Sequence, residues 1–238
     1  MHTLSSLPDT STALEQKVGD TLELLRRVAR DYAPAAFSSS LGAEDMVLTD
    51  LICRNGLAIE IFTLDTGRLP EETYQLMHKL RAHYGLVLQS YAPRADAVER
   101  YMREHGPNAF YESVELRKAC CFIRKVEPLR RALAGKRAWI TGMRRQQSTT
   151  RKELPATEWD AEHNLQKFNP LADWTQQDVW AYVRAHEVPY NALHDKGYPS
   201  IGCAPCTRAV TVGEDIRAGR WWWENESGKE CGLHEKRR

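Results

Sequence analysis

The chain has 238 residues, of which 42% are hydrophobic, and a formal net charge of +1. This length and composition can fill one core, so we expect a single folded domain. A net charge so close to zero gives no overall field that would gather a polyanion, which argues against nucleic acid or an anionic membrane surface as a partner. Any anion site must therefore be local.

Residues 1–16 are polar and lack an apolar core, so they resemble neither a signal peptide nor a membrane anchor. No apolar run elsewhere is long enough to span a bilayer. We therefore expect a cytoplasmic protein, in which disulfides are disfavoured and the six cysteines are better interpreted as metal ligands or as catalytic and redox groups. The sequence leaves a homo-oligomer open.

The first half of the chain alternates between helical and extended patterns. Apolar residues at helical spacing predict an amphipathic helix over Ser11 to Asp31, with Ser11 or Thr12 as its N-cap. Apolar stretches and helical ones then alternate, which is typical of βαβ units and predicts an α/β fold with a parallel sheet. The predicted strands are Ala35 to Ser38, Ala58 to Leu64 and Leu86 to Tyr91, and the helices between them are Glu44 to Arg54 and Pro70 to Tyr84.

The second half continues this pattern and then loses it. A basic helical segment is predicted over Glu112 to Ala134, a fourth strand over Arg137 to Thr141, and another amphipathic helix from about Thr175 to His186. From Tyr190 onward glycine and proline are frequent and the periodicity fades. The predicted organisation is one α/β domain over residues 1–215 and a mobile C-terminal tail over residues 216–238.

Three loops follow predicted strands, at the edge where open α/β sheets bind ligands. The first loop, Ser38 to Asp45, has small residues that let N–H groups and hydroxyls approach an anion, although it lacks the Walker pattern. The second and third loops are Leu64 to Pro70 and Thr141 to Gln146. Each alone could be an ordinary capped turn, but together they favour a site for a phosphate-type anion. The arginines expected to converge there are Arg68, Arg144 and Arg145.

Four cysteines form two pairs, the adjacent Cys120 and Cys121 and the Cys-Ala-Pro-Cys motif of Cys203 and Cys206. Four thiolates from two distant segments are what a metal or cluster site needs. Adjacent helical cysteines point about 100° apart, which suits the separate corners of a 4Fe-4S cluster better than one tetrahedral zinc ion. The pattern therefore favours a 4Fe-4S cluster. Zinc, or a redox-active Cys-x-x-Cys beside two core cysteines, is the alternative.

Two cations follow the adjacent cysteines. Thiolates on a cluster leave net negative charge, which Arg124 and Lys125 could stabilise. On a helix, Lys125 would share a face with Cys121, four residues earlier. The alternative is that these cations belong to a solvated basic face.

The two remaining cysteines have different surroundings. Cys231 is too near the end of the chain to belong to the core, so a reactive thiolate is favoured over an incidental surface thiol. Cys53 shares a predicted helix face with apolar residues and is expected to be a buried small hydrophobe. Trp221 to Trp223 are expected to pack on the body of the protein, with stacking on adenine as the alternative. His163 and His194 have no ligand-like spacing and receive no role.

Together, these motifs resemble bacterial assimilatory adenylyl-sulfate reductases of the phosphoadenylyl-sulfate reductase family, over nearly the whole chain from about Ala35. Related 3'-phosphoadenylyl-sulfate reductases typically lack the four cluster cysteines, so the resemblance favours the substrate without a 3'-phosphate. The motifs are Ser38 to Asp45, Leu64 to Arg68, Cys120 to Leu129, Thr141 to Arg145, Cys203 to Arg208 and Glu230 to His234.

The resemblance implies an adenine nucleotide α-hydrolase-like fold and thioredoxin-dependent reduction of adenosine 5'-phosphosulfate to sulfite and AMP in sulfate assimilation. It implies Cys231 as the catalytic residue that becomes S-sulfonated, and a 4Fe-4S cluster on Cys120, Cys121, Cys203 and Cys206. With the three loops, it implies substrate contacts or placement of the tail by Ser38, Ser40, Gly42, Asp45, Asp65, Thr66, Gly67, Arg68, Lys125, Gly142, Arg144, Arg145, Arg217 and Arg220.

Three alternative functions are kept. One is a 3'-phosphoadenylyl-sulfate reductase. Another is an ATP-cleaving nucleotide α-hydrolase relative, although such enzymes usually carry a Ser-Gly-Gly-x-Asp-Ser type loop that this sequence lacks. The third is a non-catalytic cysteine-cluster protein, against which Cys231 and the three anion loops argue.

Overall fold

The computed structural model describes residues 10–147 and 151–224. Within these residues, six strands form one sheet in the order β3-β2-β1-β4-β6-β5. Neighbouring strands are parallel except for β5, which runs antiparallel to β6 at the edge. The strands are β1 (Ala35–Ser38), β2 (Ile59–Leu64), β3 (Gln89–Tyr91), β4 (Ala138–Ile140), β5 (Thr157–Asp160) and β6 (Leu165–Phe168).

The helices connect these strands and cover the sheet. In the described part of the chain, no helix is both long and apolar enough to cross a membrane. The α-helices are α1 (Thr10–Asp31), α2 (Ala43–Arg54), α3 (Glu71–Tyr84), α4 (Ala95–His105), α5 (Val114–Cys121), α6 (Glu127–Leu133) and α7 (Gln176–Ala185).

The strand side chains alternate between two apolar cores. In β1, Phe37 belongs to a larger core that also holds residues of α1, α2, α3 and α7. Its neighbour Ala36 belongs to a smaller core with Trp139 of β4 and residues of α6. Because successive strand residues point to opposite faces, this division shows that helices cover the sheet on both sides. The predicted α/β fold with a parallel sheet is confirmed.

The structure differs from the sequence predictions at several boundaries. Helix α1 begins at Thr10, so Ser11 and Thr12 lie within the helix and not at its N-cap. Strand β3 begins only at Gln89. The hairpin of β5 and β6 was not predicted, because β5 is a polar, half-exposed edge strand without a long apolar run.

The basic segment predicted as one helix is divided into three parts. Helix α5 ends at Cys121, the residues Phe122–Val126 form a π-helical turn, and α6 follows. A π turn inserts one extra residue per turn, and such turns occur frequently at functional sites. Hydrophobic periodicity alone does not reveal this insertion, because the chain stays helical on both sides of it.

Part of the predicted tail packs on the body of the protein. Thr207 and Arg220 form an antiparallel bridge, and the Arg208 N–H donates to the Gly219 carbonyl at 3.0 Å. Trp221 is 1% exposed. Residues 216–224 are therefore held by backbone hydrogen bonds and burial, and residues 225–238 of the predicted tail lie outside the described residues.

A buried carboxylate joins three of the helices. Asp50 of α2 accepts hydrogen bonds from the hydroxyls of Tyr84 in α3 and Tyr182 in α7, each at 2.7 Å. Arg54 donates to the same carboxylate at 2.7 Å. Burial raises the pKa of both tyrosines, so the hydroxyls stay protonated as donors.

We expect Tyr182→Phe to lower the free energy of unfolding by about 1–2 kcal/mol, because the buried Asp50 carboxylate loses one of its donors. Urea-induced unfolding measures this loss. The control is Tyr190→Phe, which removes a hydroxyl bonded at 3.2 Å to the exposed Asp195 and should change the free energy by less than about 0.5 kcal/mol. Equal losses in the two variants would contradict the role given to Asp50.

Candidate active site

A cavity of about 250 Å³ lies where the strand order reverses. Strands β1 and β4 are neighbours, and the strands that follow them in the chain lie on opposite sides, with β2 beside β1 and the hairpin of β5 and β6 beside β4. Such a switch point leaves a crevice at the carboxyl ends of the strands, which is where open α/β sheets bind ligands. Residues 38–40 and 42–45 at the end of β1 and beyond it, and residues 141–144 after β4, line this cavity. We call it the nucleotide cavity, after the ligand that the resemblance implies.

The loop after β1 has an unusual backbone conformation. Leu41 is buried and has a φ of 62°, in the left-handed region that leucine rarely adopts. Its N–H donates to Ser39 Oγ at 3.2 Å. Helix α2 then begins without a side-chain cap at Gly42. Its first turn therefore leaves N–H groups at the cavity that can bind an anion.

Asp45 connects the first loop with the third. Its Oδ2 accepts both the N–H and the hydroxyl of Ser40 at 2.6 Å, and the Gly142 N–H also bonds to this carboxyl. A Cβ at position 142 would collide with the Asp45 side chain, so glycine is required for this approach. Burial raises the pKa of Asp45 to about 6, although the hydrogen bonds from Ser40 and Gly142 act in the opposite direction.

Arg144 lines the nucleotide cavity but is already paired. Its Nε and Nη2 donate to Glu44 Oε1 at 2.9 and 2.7 Å, and its Nη1 donates to the Trp174 carbonyl at 3.3 Å. Arg144 is 2% exposed, so this ion pair is shielded from solvent. The pair connects the start of α2 with the third loop and stiffens the cavity wall.

Further cations line the same cavity. Arg220 donates to the Ile201 carbonyl at 3.3 Å, and its buried Nε has no partner among the described residues. A Cβ at position 202 would collide with its guanidinium, so Gly202 gives the arginine room. Cationic side chains thus outnumber the two carboxylates, Glu44 and Asp45, in the lining, as an anion site requires. The cations of the lining are Lys125, Arg144, Arg151, Arg217 and Arg220.

The second loop contributes Thr66 to the nucleotide cavity, whereas three of its predicted contacts lie elsewhere. Asp65 accepts the N–H of Gly67 and the hydroxyl of Tyr74, both at 2.8 Å. Gly67 has a φ of 68° and turns the chain toward Arg68, whose guanidinium stacks on a phenylalanine ring. The side chains of Asp65 and Arg68 are thus engaged by other residues of the protein, and contact between these three residues and substrate stays a prediction.

Arg145 of the third loop also points away from the nucleotide cavity. Its side chain forms an ion pair with Asp173, and its Nε donates to the Leu154 carbonyl at 2.8 Å. The remaining predicted contacts lie in the cavity lining, and they are Ser38, Ser40, Gly42, Asp45, Thr66, Lys125, Gly142, Arg144, Arg217 and Arg220.

The four paired cysteines line a second, smaller cavity of about 20 Å³, which we call the cysteine cavity. Helix α5 carries one pair at its end, and the other pair brackets a 3₁₀ turn, with Cys203 as the N-cap of Ala204–Cys206 and Cys206 as its last residue. Lys125 lies in the π-helical turn and lines both cavities. The residues of the cysteine cavity are Cys120, Cys121, Cys203, Cys206, Arg68, Phe110, Arg117, Arg124, Lys125 and Pro205.

The chemistry of this donor set fits a Cys₄ cluster. Burial raises the pKa of the Cys206 thiol to about 12 and also raises that of Cys120, which Arg124 partly opposes. Ionisation of these thiols therefore needs strong cationic partners, which cluster irons would provide. Across residues 10–147 and 151–224, no group of three or more Cys, His, Asp or Glu side chains is arranged around a single metal ion. The four cysteines do line one cavity, so the cluster stays a prediction for which they would be the ligands.

The segment after the second cysteine pair is anchored beside both cavities. Trp221 stacks between the guanidiniums of Arg117 and Arg220, at 4.8 and 4.7 Å from its ring centre. Glu224 forms a bidentate ion pair with Arg117 at 2.7 and 2.8 Å. Trp221 and Trp223 pack on the body of the protein, as the sequence predicted, whereas Trp222 is 39% exposed. Cys231 and the motif around it lie outside the described residues.

Two side chains of the site were not identified from the sequence. His194 lines the nucleotide cavity, and its buried Nε2 has no partner in the described part of the chain. Burial lowers the pKa of this histidine. Trp139 also lines the cavity, where its indole N–H donates to Ser38 Oγ at 2.7 Å. A lone histidine carries no sequence signal, whereas the position of Trp139 in a strand next to β1 could have suggested this contact.

The half-buried Cys53 packs against the larger core. Burial raises the pKa of its thiol to about 11. This environment agrees with the role of a small hydrophobe and gives the thiol little thiolate character.

Comparison with known proteins agrees with this geometry. The model of the phosphoadenosine phosphosulfate reductase domain matches residues 34–209. The adenosine 5'-phosphosulfate reductase of Allochromatium vinosum is 58% identical over 96% of this chain and 90% of its own length. The protein of that name from Burkholderia cepacia is 56% identical over 94% of this chain and 92% of its own length.

Solved structures show the same fold. The phosphoadenylyl-sulfate reductase of Candida auris, in a phosphate complex, superposes with a TM-score of 0.69 at 28% identity, over 87% of this chain and all of that one. The FMN adenylyltransferase of Candida glabrata superposes with a TM-score of 0.60 at 15% identity, over 96% of this chain and 81% of its own, and shows likeness of fold alone. The predicted adenine nucleotide α-hydrolase-like fold is thereby confirmed. Because the family model covers most of the chain and close relatives align with nearly all of it, the chain belongs to the phosphoadenosine phosphosulfate reductase domain family, a family of oxidoreductases.

Proposed function

We propose that this chain reduces adenosine 5'-phosphosulfate to sulfite and AMP in cytoplasmic sulfate assimilation, with reduced thioredoxin as the electron donor. The observation that carries the proposal is the 58% identity, over nearly the whole chain, with a relative named adenosine 5'-phosphosulfate reductase. The nucleotide cavity supports it, because cationic side chains and the first turn of α2 offer local donors to phosphate and sulfate oxygens.

The first chemical step joins sulfur to the enzyme. The Cys231 thiolate attacks the sulfur of the sulfuryl group, the bond from that sulfur to the bridging oxygen breaks, and AMP leaves with the electron pair. The product is an enzyme thiosulfonate. Thiolate and substrate are both anionic, so the step needs cations beside the reacting oxygens. Lys125, Arg217 and Arg220 are suited to this task, because they belong to the lining of the nucleotide cavity.

The second step releases the product. One thiolate of reduced thioredoxin attacks the sulfur of Cys231, the sulfur–sulfur bond breaks, and sulfite leaves with the electron pair. The resulting mixed disulfide is resolved by the second thiol of thioredoxin, which leaves with both of its thiols oxidised to a disulfide. The two electrons gained by the sulfuryl group thus come from the thioredoxin dithiol.

We propose that Cys120, Cys121, Cys203 and Cys206 hold a 4Fe-4S cluster. Four thiols around one cavity, with cations from Arg68, Arg117, Arg124 and Lys125 beside them, support this assignment. When bound, the cluster would supply structural support and an electrostatic environment beside the nucleotide cavity. The Lys125 ammonium would attract both the anionic cluster and the anionic nucleotide, because it lines both cavities.

The 3'-phosphorylated nucleotide is the second candidate substrate. The matching family model and the Candida auris relative are named for that nucleotide. The most similar relatives reported above are named for adenosine 5'-phosphosulfate, and the resemblance associates the four paired cysteines with the substrate that lacks the 3'-phosphate. We therefore favour adenosine 5'-phosphosulfate.

Sulfite release tests the substrate directly. With reduced thioredoxin, kcat/KM for adenosine 5'-phosphosulfate should exceed that for its 3'-phosphorylated relative by at least about tenfold. The resemblance implies a site without a partner for the extra phosphate, which would then be desolvated unpaired. Omitting thioredoxin is the control and should abolish turnover. Equal values for the two nucleotides would overturn the substrate assignment, and no sulfite from either would overturn the function.

A covalent adduct tests the nucleophile. Incubation with substrate but without thioredoxin should raise the intact mass of the protein by one SO₃ group on the peptide that contains Cys231, and reduced thioredoxin should then release sulfite. Cys231→Ser should lose both adduct and turnover while keeping its affinity for AMP. Cys53→Ser is the matched control and should form the adduct normally, because Cys53 packs against the core. An adduct on another cysteine would refute the assignment.

Iron and sulfide analysis tests the cluster. The anaerobically purified protein should contain about four irons and four sulfides per chain. Cys203→Ser should lose most of both, because one ligand is missing, whereas Cys53→Ser should retain them. Zinc without sulfide in the native protein would rule out the cluster, and full iron content in Cys203→Ser would rule out that ligand.

A further inference from the structure

Ser38, at the end of β1, and Ser40, two residues later, both line the nucleotide cavity, but their hydroxyl groups have different partners. A serine hydroxyl carries one hydrogen to donate and two lone pairs that accept. The partner of each hydroxyl therefore determines what remains for a ligand. In both serines the partner is a group whose hydrogen-bonding role is fixed.

The hydrogen of Ser40 is already committed. Its Oγ lies 2.6 Å from Asp45 Oδ2, which also accepts the Ser40 N–H. An ionised carboxylate can only accept hydrogen bonds, so the Ser40 hydroxyl must donate to Asp45. Ser40 can then offer a ligand only its lone pairs, and these repel an anionic oxygen.

The hydrogen of Ser38 is not committed. The partner of its Oγ is the Trp139 indole N–H, at 2.7 Å, and an indole N–H can only donate. Ser38 therefore accepts this bond and keeps its own hydrogen, which makes no hydrogen bond within the described residues. Because Ser38 lines the nucleotide cavity, this hydrogen is available to a bound ligand.

The register of the sheet explains why the indole is held so firmly. Ala36 of β1 lies opposite Trp139 of β4, and its small side chain leaves room for the indole to reach Ser38, two residues farther along the same face. Lys167 of β6, the opposite neighbour of Trp139, lies 5.0 Å from its ring centre. His163 packs against the indole edge-to-face at 5.4 Å. Trp139 is 1% exposed, so its orientation is set by packing.

We propose that Trp139 is a positioning residue that directs the Ser38 hydroxyl to donate its hydrogen to an anionic oxygen of the bound nucleotide, and that Ser40 makes no such donation. The acceptor is an oxygen of the 5'-phosphoryl group, common to AMP and to adenosine 5'-phosphosulfate. Hydrogen bonds to ionised acceptors are the stronger ones, so orienting this donor in advance favours the anion over a neutral nucleoside. This inference rests on the proposed function.

The ratio of AMP affinity to adenosine affinity measures the donation, because only AMP carries the anionic oxygens. Calorimetric titrations of both ligands are run near pH 8, above the pKa of about 6 that burial gives Asp45, so that this carboxyl is ionised. Ser38→Ala should lower the ratio by about tenfold, the effect of losing a hydrogen bond to a charged group. Trp139→Phe should lower it several-fold.

Two variants serve as controls. Trp159→Phe changes a tryptophan that is 59% exposed in β5 and should leave the ratio unchanged. Ser40→Ala removes a hydroxyl from the same loop and should weaken both ligands equally, since it disturbs the loop and not the phosphate contact.

The double variant Ser38→Ala with Trp139→Phe tests whether the tryptophan acts through the serine. Its ratio should equal that of Ser38→Ala alone, because Trp139 then has no hydroxyl to direct. Additive effects of the two substitutions on the ratio would overturn the proposal. A Trp139→Phe variant that binds AMP and adenosine equally more weakly would also overturn it. Either result would mean that Trp139 only shapes the cavity. A Ser40→Ala effect on the ratio as large as that of Ser38→Ala would also overturn it.

These results are independent of the reaction. Should the wild-type protein release no sulfite, the proposed function fails, but the ratio still shows whether Ser38 donates to the phosphate. Should sulfite be released while Ser38→Ala leaves the ratio unchanged, the function stands and the inference fails. If Trp139→Phe does not fold, the contrast between Ser38→Ala and Ser40→Ala still decides whether Ser38 is the donor.

Discussion

The carboxylate of Asp45 holds the nucleotide cavity together. It accepts the N–H and hydroxyl of Ser40 in the loop after β1 and bonds to the N–H of Gly142 in the loop after β4. These loops follow the two neighbouring parallel strands, β1 and β4, at which the strand order reverses. The parallel sheet creates the crevice, and this side chain, together with the ion pair between Arg144 and Glu44, connects its two walls. The position of the first turn of α2, and hence of its N–H donors, depends on the same contact.

The nucleotide cavity and the cysteine cavity lie next to each other, and this adjacency also organises the site. Lys125 lies in a π-helical turn that begins directly after Cys121, and it lines both the nucleotide cavity and the cysteine cavity. Trp221 connects them a second time, because it stacks between Arg117 of the cysteine cavity and Arg220 of the nucleotide cavity. These cations thus place positive charge between the two cavities. There it offsets the repulsion between an anionic nucleotide in one cavity and thiolates in the other.

Local patterns predicted much of this fold. Strands β1, β2 and β4 were found from their apolar runs, and the convergence of the first and third loops followed from the parallel sheet. Contacts that depend on distant residues were not found. Arg144 lies in the lining of the nucleotide cavity, but its ion pair with Glu44, one hundred residues earlier, was not predicted. The bond between Trp139 and Ser38 requires the register of β1 and β4, which no single segment encodes. The hairpin of β5 was missed because an exposed polar edge strand has little apolar signal.

Because Asp45 is buried, the free energy of unfolding of the protein depends on pH. Its pKa is about 6 in the folded protein, against an ordinary value of 3.8. Between these values the native chain keeps a proton that the unfolded chain has released, so raising the pH through this window lowers the free energy of unfolding. A pKa shift of this size contributes about 3 kcal/mol to the free energy of unfolding below the ordinary pKa of 3.8. This contribution is fully lost above the folded pKa of about 6. At neutral pH the protein therefore holds its two loops together with a charged group that disfavours folding, and the apolar cores on both faces of the sheet must offset that penalty.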